Sequence, residues 1–341
     1  MNATRPIKRT LPSAGMAAWF LIGLSIAQVA AGAPAPRTRT LTFNAEKQEW
    51  VETAPPPPGT PEGDLFRIRE MVSAGQHRPA LSAINRYIKT YGESDAFYPD
   101  MLAARAQVHV ARRDYQKAHG VLQQFLNEFG GIALTSEALR LEFVIAEAFL
   151  AGAKRNFLGL PLRSGVELAY SILDEISAEY TSERIAEYAL KTKGDHLFRT
   201  GEHELAELEY SRLLREFPRG RYHQYALRRS ADAAIAAFRG AEYDDSALIE
   251  AQERYEEYHT RYAVAADRAE IAVVLDNIRE QRAEKDYLIA DYYERTDHLS
   301  SAVYYYQTVL RDWPDTLAAT KAANRLELLG VQSMASATTH P

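Results

Sequence analysis

The sequence predicts an all-α, tetratricopeptide-like solenoid of about six antiparallel helix pairs ended by a closing helix, and three observations carry that prediction. First, residues 285–329 read as a helix, a short polar turn, a second helix and a proline-marked exit. Ala290 and Tyr293 lie on the first helix, Ala302, Tyr306 and Val309 on the second, and Pro314 after it. Second, the second-helix spacing recurs: Ala80, Ala118, Ala169, Ala206, Ala251 and Ala302 are each followed, four residues on, by Ile84, Leu122, Leu173, Tyr210, Tyr255 and Tyr306. Three residues further come Tyr87, Phe125, Ile176, Leu213, Tyr258 and Val309. Third, a chain that is 46% hydrophobic and 25% charged buries a core, yet it has no cysteine, so helix packing must hold it without disulfides.

Positions i, i+4 and i+7 share one helical face. A small residue there lets two antiparallel backbones approach, and the larger ones fill the space beside the contact. This is the spacing of a tetratricopeptide (TPR) unit, about 34 residues long, and one unit alone cannot bury its apolar face. The copies are therefore expected to stack over residues 63–330.

In chain order, residues 1–31 have a basic start (Arg5, Lys8, Arg9), an apolar run from Met16 to Val29 and then small residues, the layout of a secretory signal peptide. Val29 and Ala31 fit cleavage before Gly32; an uncleaved membrane anchor is the alternative, but the run is shorter than the roughly 20 apolar residues of a spanning helix. Cleavage removes three basic and no acidic residues, leaving 37 − 46 = −9. Residues 32–62 contain the proline run Pro55–Pro58 and read as an extended linker, with Phe43 and Trp50 available to dock on the body. A spacer is favoured over a polyproline ligand, because no second PxxP follows. Gly63 and Asp64 mark the expected helix start.

Among the repeats, residues 187–219 match the last unit position for position: Gly194, Leu197, Ala206, Tyr210, Leu213 and Pro218 stand where Ala290, Tyr293, Ala302, Tyr306, Val309 and Pro314 stand. The unit around Ala118 has His109 where a large apolar residue is expected. Two units carry insertions at the turn. Ala146 to Ala169 is 23 residues where Ala290 to Ala302 is 12, and Ala234 to Ala251 is 17. Phe157, Leu158, Leu160 and Leu162 in the longer insertion read either as a partner contact or as a loop folded onto its own helices. The first helix of the last unit is expected to run unbroken from about Ala266 to Tyr293, residues 317–329 form the closing helix before Gly330, and 331–341 are a disordered tail.

The text for chemistry is thin. It contains no Gly-rich phosphate loop, GxSxG elbow, cysteine nucleophile or HExxH helix, so no catalytic, cofactor-binding or metal-binding residue is assigned and the chain reads as a non-enzyme. His203 and Glu204 open a helix whose Ala206 is a packing residue, so they read as solvated charges, and His196 with His203 lacks a third ligand. With 46 acidic against 40 basic residues the net charge is −6, which argues against nucleic-acid binding. Repeat packing is assigned to Ala80, Ala118, Ala169, Gly194, Ala206, Tyr210, Ala251, Ala290, Tyr293, Ala302 and Tyr306. Partner contact is assigned to Tyr292, Tyr304, Tyr305, Arg311, Phe157 and Leu160, with packing against the closing helix as the competing role for the tyrosines. Arg228 and Arg229 beside Tyr222 and Tyr225 pose the same choice.

The last-unit text DYLIADYYERTDHLSSAVYYYQTVLRDWPDT, with RTGEHELAELEYSRLLREFPRGRY before it, resembles the outer-membrane assembly factor BamD (YfiO) family over most of residues 63–330. The features that carry the resemblance are Tyr292 and Tyr293, Ala302, and Arg311 to Thr316. It implies a periplasmic scaffold at the inner face of the outer membrane that contacts a BamA-like barrel protein through its C-terminal half and unfolded outer-membrane protein segments through its N-terminal half. The family's lipid-modified cysteine has no counterpart in AQVAAGAPAP, so membrane association is expected through a partner. The alternatives are a TPR adaptor for cell-division or Tol-Pal functions and a regulatory subunit of an envelope enzyme.

Overall fold

The computed structural model describes residues 41–44, 49–52, 55–157, 160–240 and 244–330, with backbone alone at 41–44, 49–52, 156–157 and 160–162. The signal segment 1–31 and the tail 331–341 lie outside the described residues. The chain divides into two units, Met1–Ala54 and Pro55–Pro341.

In the first unit, β1 (Leu41–Asn44) pairs antiparallel with β2 (Glu49–Glu52), Phe43 opposite Trp50 and Thr42 opposite Val51. This corrects the expectation of an unbroken extended linker. The aromatic and β-branched residues of LTFN and EWVE favour a pleated pair, and proline enters only after them.

The second unit is helical, and its helices come in consecutive antiparallel pairs. They are α1 (Pro61–Ser73) with α2 (His77–Tyr91), α3 (Tyr98–Ala111) with α4 (Tyr115–Phe129), and α5 (Thr135–Leu150) with α6 (Val166–Glu179). Then follow α7 (Arg184–Arg199) with α8 (His203–Glu216), α9 (His223–Ala237) with α10 (Ser246–Arg261), the short α11 (Ala263–Arg268), α12 (Ile271–Arg295) with α13 (Leu299–Asp312), and α14 (Leu317–Leu328). It is an all-α, TPR-like solenoid. Its core runs along the stack, and each pair supplies a small residue at the crossing: Ala80, Ala118, Ala169, Ala206, Ala251 and Ala302 are fully buried. The larger followers Ile84, Leu122, Leu173, Tyr210, Tyr255 and Tyr306 are buried beside them.

Three details depart from the expectation. Helix α1 begins at Pro61, ahead of Gly63, because Thr60 caps it by accepting from the Gly63 N–H at 3.1 Å and proline costs nothing in a first turn. The long insertion is an antiparallel hairpin, β3 (Lys154–Phe157) with β4 (Leu160–Ser164). The helix expected from Ala266 to Tyr293 is broken: α11 ends at Arg268, Glu270 is left-handed with φ of 52°, and α12 starts at Ile271. Ala266 and Ile271 are both buried. Five residues apart on a continuous helix they would diverge by roughly 140°, so the break turns both inward.

Candidate partner-binding surface

The repeat positions carry a polar device that the alanine spacing does not reveal. Tyr210, Tyr255 and Tyr306 sit fully or almost fully buried at the same place in three successive second helices. Each hydroxyl donates to a carboxylate on the first helix of its own pair: Tyr210 to Asp195 at 2.6 Å, Tyr255 to Asp232 at 2.6 Å and Tyr306 to Glu294 at 2.8 Å. Each carboxylate also meets a cation. Lys191 Nζ lies 2.6 Å from Asp195, Arg229 Nη1 3.2 Å from Asp232, and Arg325 Nε 3.1 Å from Glu294. Burial, with the adjacent carboxylate, pushes all three phenols well above their ordinary range, so they stay protonated donors. Measured from the small residues Gly194, Ala234 and Ala290, the carboxylates stand at +1, −2 and +4. Steps of three keep them on one helical face at successive turns.

Gly194 is required at its crossing: a Cβ there would lie 2.8 Å from Tyr210 Cε1. Lys193 ties neighbouring elements, reaching Asp174 at 2.6 Å and Glu209 at 2.7 Å. Arg229 stacks 3.8 Å from the centre of the Phe198 ring as well as pairing with Asp232, so it is spent on packing, while Arg228 is exposed at 4.0 Å from Asp232. His196 shares a hydrogen bond with the Tyr170 hydroxyl at 2.8 Å, and His203 packs on Phe198 with centroids 5.0 Å apart, so the two histidines face different neighbours. Among the described residues no group of His, Asp and Glu is placed to hold a metal ion.

The last unit presents a row of four tyrosines. Tyr293 of α12 stacks on Tyr305 of α13 with centroids 5.1 Å apart and planes 2° from parallel. Tyr292 meets the edge of Tyr293 at 5.7 Å, and Tyr304 meets Tyr305 at 5.4 Å. The two ends are open, Tyr292 55% and Tyr304 60% exposed, and Leu299 nearby on α13 is 48% exposed. Tyr293 and Tyr305 are half-buried. Tyr305, read as either a partner contact or a packing residue, is half-buried with one face taken by Tyr293. Arg311 is exposed and holds a forked pair with its neighbour Asp312, Nε to Oδ1 at 2.7 Å and Nη2 to Oδ2 at 3.0 Å. The side chains of Phe157 and Leu160 lie outside the described residues; their backbones are partners at the tip of the β3–β4 hairpin.

The base under this row is rigid. Trp313 Nε1 donates to Asp286 at 2.7 Å, Thr316 caps α14 by accepting from the Ala319 N–H at 3.1 Å, and Lys321 and Arg325 of α14 pair with Glu284 and Glu294 of α12. Large, flat, low-entropy side chains held on such a base are the usual anchors of protein interfaces.

Among solved structures, the chain is similar to a thermophilic TPR protein of Thermus thermophilus, with 16% identity over 64% of this chain and 98% of that one and a TM-score of 0.29. It is also similar to PilW, a type IV pilus biogenesis factor, with 16% identity over 78% and 99% and a TM-score of 0.29. The C-terminal part of a TPR repeat-containing protein from Cytophaga hutchinsonii gives 14% identity over 76% and 98% and a TM-score of 0.26. The curated proteins give no match. A family model described as "YfiO: Outer membrane lipoprotein" matches residues 163–338, just over half of the 341 residues and the whole stretch from α6 to α14. The chain therefore belongs to the YfiO family of outer membrane lipoproteins.

Proposed function

We propose that this TPR scaffold works without catalysis in the assembly of outer-membrane β-barrel proteins, docking a BamA-like barrel protein through its last unit and unfolded outer-membrane protein segments through its N-terminal half. The observation that carries the reading is the tyrosine row, with Tyr292 and Tyr304 exposed on a base fixed by the Tyr293–Tyr305 stack. Membership of an outer membrane lipoprotein family supports an envelope setting, and the reading puts the protein in the periplasm at the inner face of the outer membrane. The stretch AQVAAGAPAP holds no cysteine for lipid modification, so attachment there is assigned to the partner; no helix among the described residues is long and apolar enough to cross a membrane.

The test is capture from a solubilised envelope fraction. The wild-type chain is expected to recover a BamA-like barrel protein, and Tyr292→Ala with Tyr304→Ala is expected to abolish recovery at an unchanged melting temperature. Equal recovery by the variant, or recovery of cytoplasmic enzymes only, sinks the reading. Recovery of coiled-coil or peptidoglycan-associated proteins would move the scaffold to another envelope process.

A further inference from the structure

A second feature lies away from the tyrosine row, at the junction of the fourth and fifth helix pairs. There the first turn of α7 faces the connection from α8 to α9 across a groove of about 580 Å³ lined by Arg184, Ile185, Glu187, Tyr188, Arg219, Gly220, Arg221 and Tyr222. Three of these eight residues are arginines, all exposed, and none forms an ion pair with a described carboxylate. Arg212, Arg229 and Arg254 nearby each have an acidic partner, whereas Arg199 and Arg215 share with the groove arginines the lack of an ion pair to a described carboxylate. Three such arginines around one groove are unusual in a chain whose net charge is −6.

The single acidic lining residue is already committed. Glu187 Oε1 accepts the backbone N–H of Tyr222, which pins the α8–α9 connection to α7. The connection passes so close that a Cβ at Gly220 would lie 2.3 Å from that oxygen. Arg219 and Arg221 are thereby held opposite Arg184 on a fixed frame. The remaining wall is aromatic: Tyr188 and Tyr222 stack with centroids 5.7 Å apart, Phe143 packs on Tyr188 at 4.8 Å and the Arg221 guanidinium lies 5.8 Å from the Tyr222 ring, so the pair offers the groove mainly its ring edges, with Ile185 beside them. Behind the rings Lys191 Nζ sits 5.9 Å from the Tyr188 centroid, 5.7 Å from Tyr222 and 4.4 Å from Tyr225, its charge matched by Asp195.

Guanidinium groups present paired donors that match the oxygens of phosphate and carboxylate, and a groove of this size falls in the range of small-molecule sites. We propose that the groove binds a small organic oxyanion, a phosphate or carboxylate carried on a flat apolar body, with the head between Arg184, Arg219 and Arg221 and the body against Tyr188 and Tyr222. This goes beyond the docking role of the last unit and does not depend on it.

Calorimetric titration of the full chain with phenyl phosphate tests the site, with inorganic phosphate and benzoate as parallel arms. Phenyl phosphate is expected to bind at one site and more tightly than inorganic phosphate, and the order of phenyl phosphate and benzoate assigns the head group. Arg219→Gln with Arg221→Gln is expected to weaken binding by roughly ten-fold or more, and Arg184→Gln, on the other element, to do the same. Arg239→Gln, whose partner is Glu204, should leave affinity unchanged. No binding to the wild-type chain, or unchanged affinity in the arginine variants, overturns the site. Equal affinity for inorganic phosphate and phenyl phosphate overturns the role of the tyrosine wall. Should the double variant lose its helical circular dichroism, Arg184→Gln alone decides.

Discussion

Replacing His119 with leucine should destabilise the third helix pair through a carboxylate that the histidine alone makes tolerable. Glu142 of α5 has a side chain only 1% exposed, and His119 Nδ1 of α4 stands 2.9 Å from both of its oxygens. The other described contact is weak, Gln123 Nε2 at 3.4 Å, and that amide also serves Glu175 of α6 at 3.0 Å, a second negative charge facing the site. Burial pushes the Glu142 carboxyl above its ordinary value of 4.5, against the lowering effect of His119. Removing one partner of such a pair costs about 3 kcal/mol, the low end of the range because the His119 side is 20% exposed. For a helical unit of this size that is a fall of about 6–12 °C in melting temperature. Glu142→Gln added to the His119→Leu background should recover most of the loss. The pH dependence has a definite sign. A carboxyl whose folded pKa is raised binds its proton more tightly when folded, so its favourable contribution is complete below pH 4.5 and is lost as pH rises through the folded value. The His119→Leu chain should therefore gain stability relative to the double variant on acidification from neutral pH. Thermal melts of the three chains across that range measure it. A loss below about 1 kcal/mol, or one that Glu142→Gln does not relieve, would refute the reasoning.

Two further outcomes follow from the geometry. Gly194→Ala sets a methyl 2.8 Å from Tyr210 Cε1, which displaces the ring from Asp195; it should cost about 1–3 kcal/mol in a thermal melt, and a neutral result would show that the crossing has slack. Arg325, with burial opposing it, holds the Glu294 carboxyl below its ordinary value of 4.5, so this tie of α14 to α12 contributes above that pH and is lost as pH falls through the folded value. Amide exchange in α14, corrected for intrinsic rates, should accelerate in acid before that of α7 and α8; simultaneous acceleration would count against a local tie.

The alanine ladder was legible in the sequence because close approach of two backbones leaves almost no choice of residue at the crossing. Its polar counterpart was not. The carboxylates that receive the tyrosine hydroxyls occupy Asp195, Asp232 and Glu294, three offsets on one helical face, and an alignment that expects one column per role sees no pattern. The break at Glu270 was hidden for a related reason: neither glycine nor proline marks it, and it arises from the need to bury Ala266 and Ile271 together. Of the partner-contact residues, Tyr292 and Tyr304 were readable as outward, since they flank the inward Tyr293 and Tyr306, but the stacking of Tyr305 depends on where α13 lies against α12. The arginines of the groove were unreadable, because sequence does not tell a paired cation from an unpaired one.

The tyrosine–carboxylate rungs bear on how the last unit is held. A buried hydroxyl donating to a carboxylate is costly to leave unmade, so each rung fixes the two helices of its pair in one rotation as well as one distance. Two of the rungs are extended to a third helix: Glu294 receives Tyr306 from α13 and Arg325 from α14, and Asp195 of α7 receives Tyr210 from α8 and Tyr225 from α9. Glu294 follows Tyr292 and Tyr293 on α12, and Tyr306 follows Tyr304 and Tyr305 on α13, so the network that fixes the interior also sets the angle at which the exposed rings leave the surface. A solenoid's outer units are its least supported, since a terminal helix packs on one side only. The Glu294 lock ties the closing helix to both helices of the last pair and offsets part of that deficit.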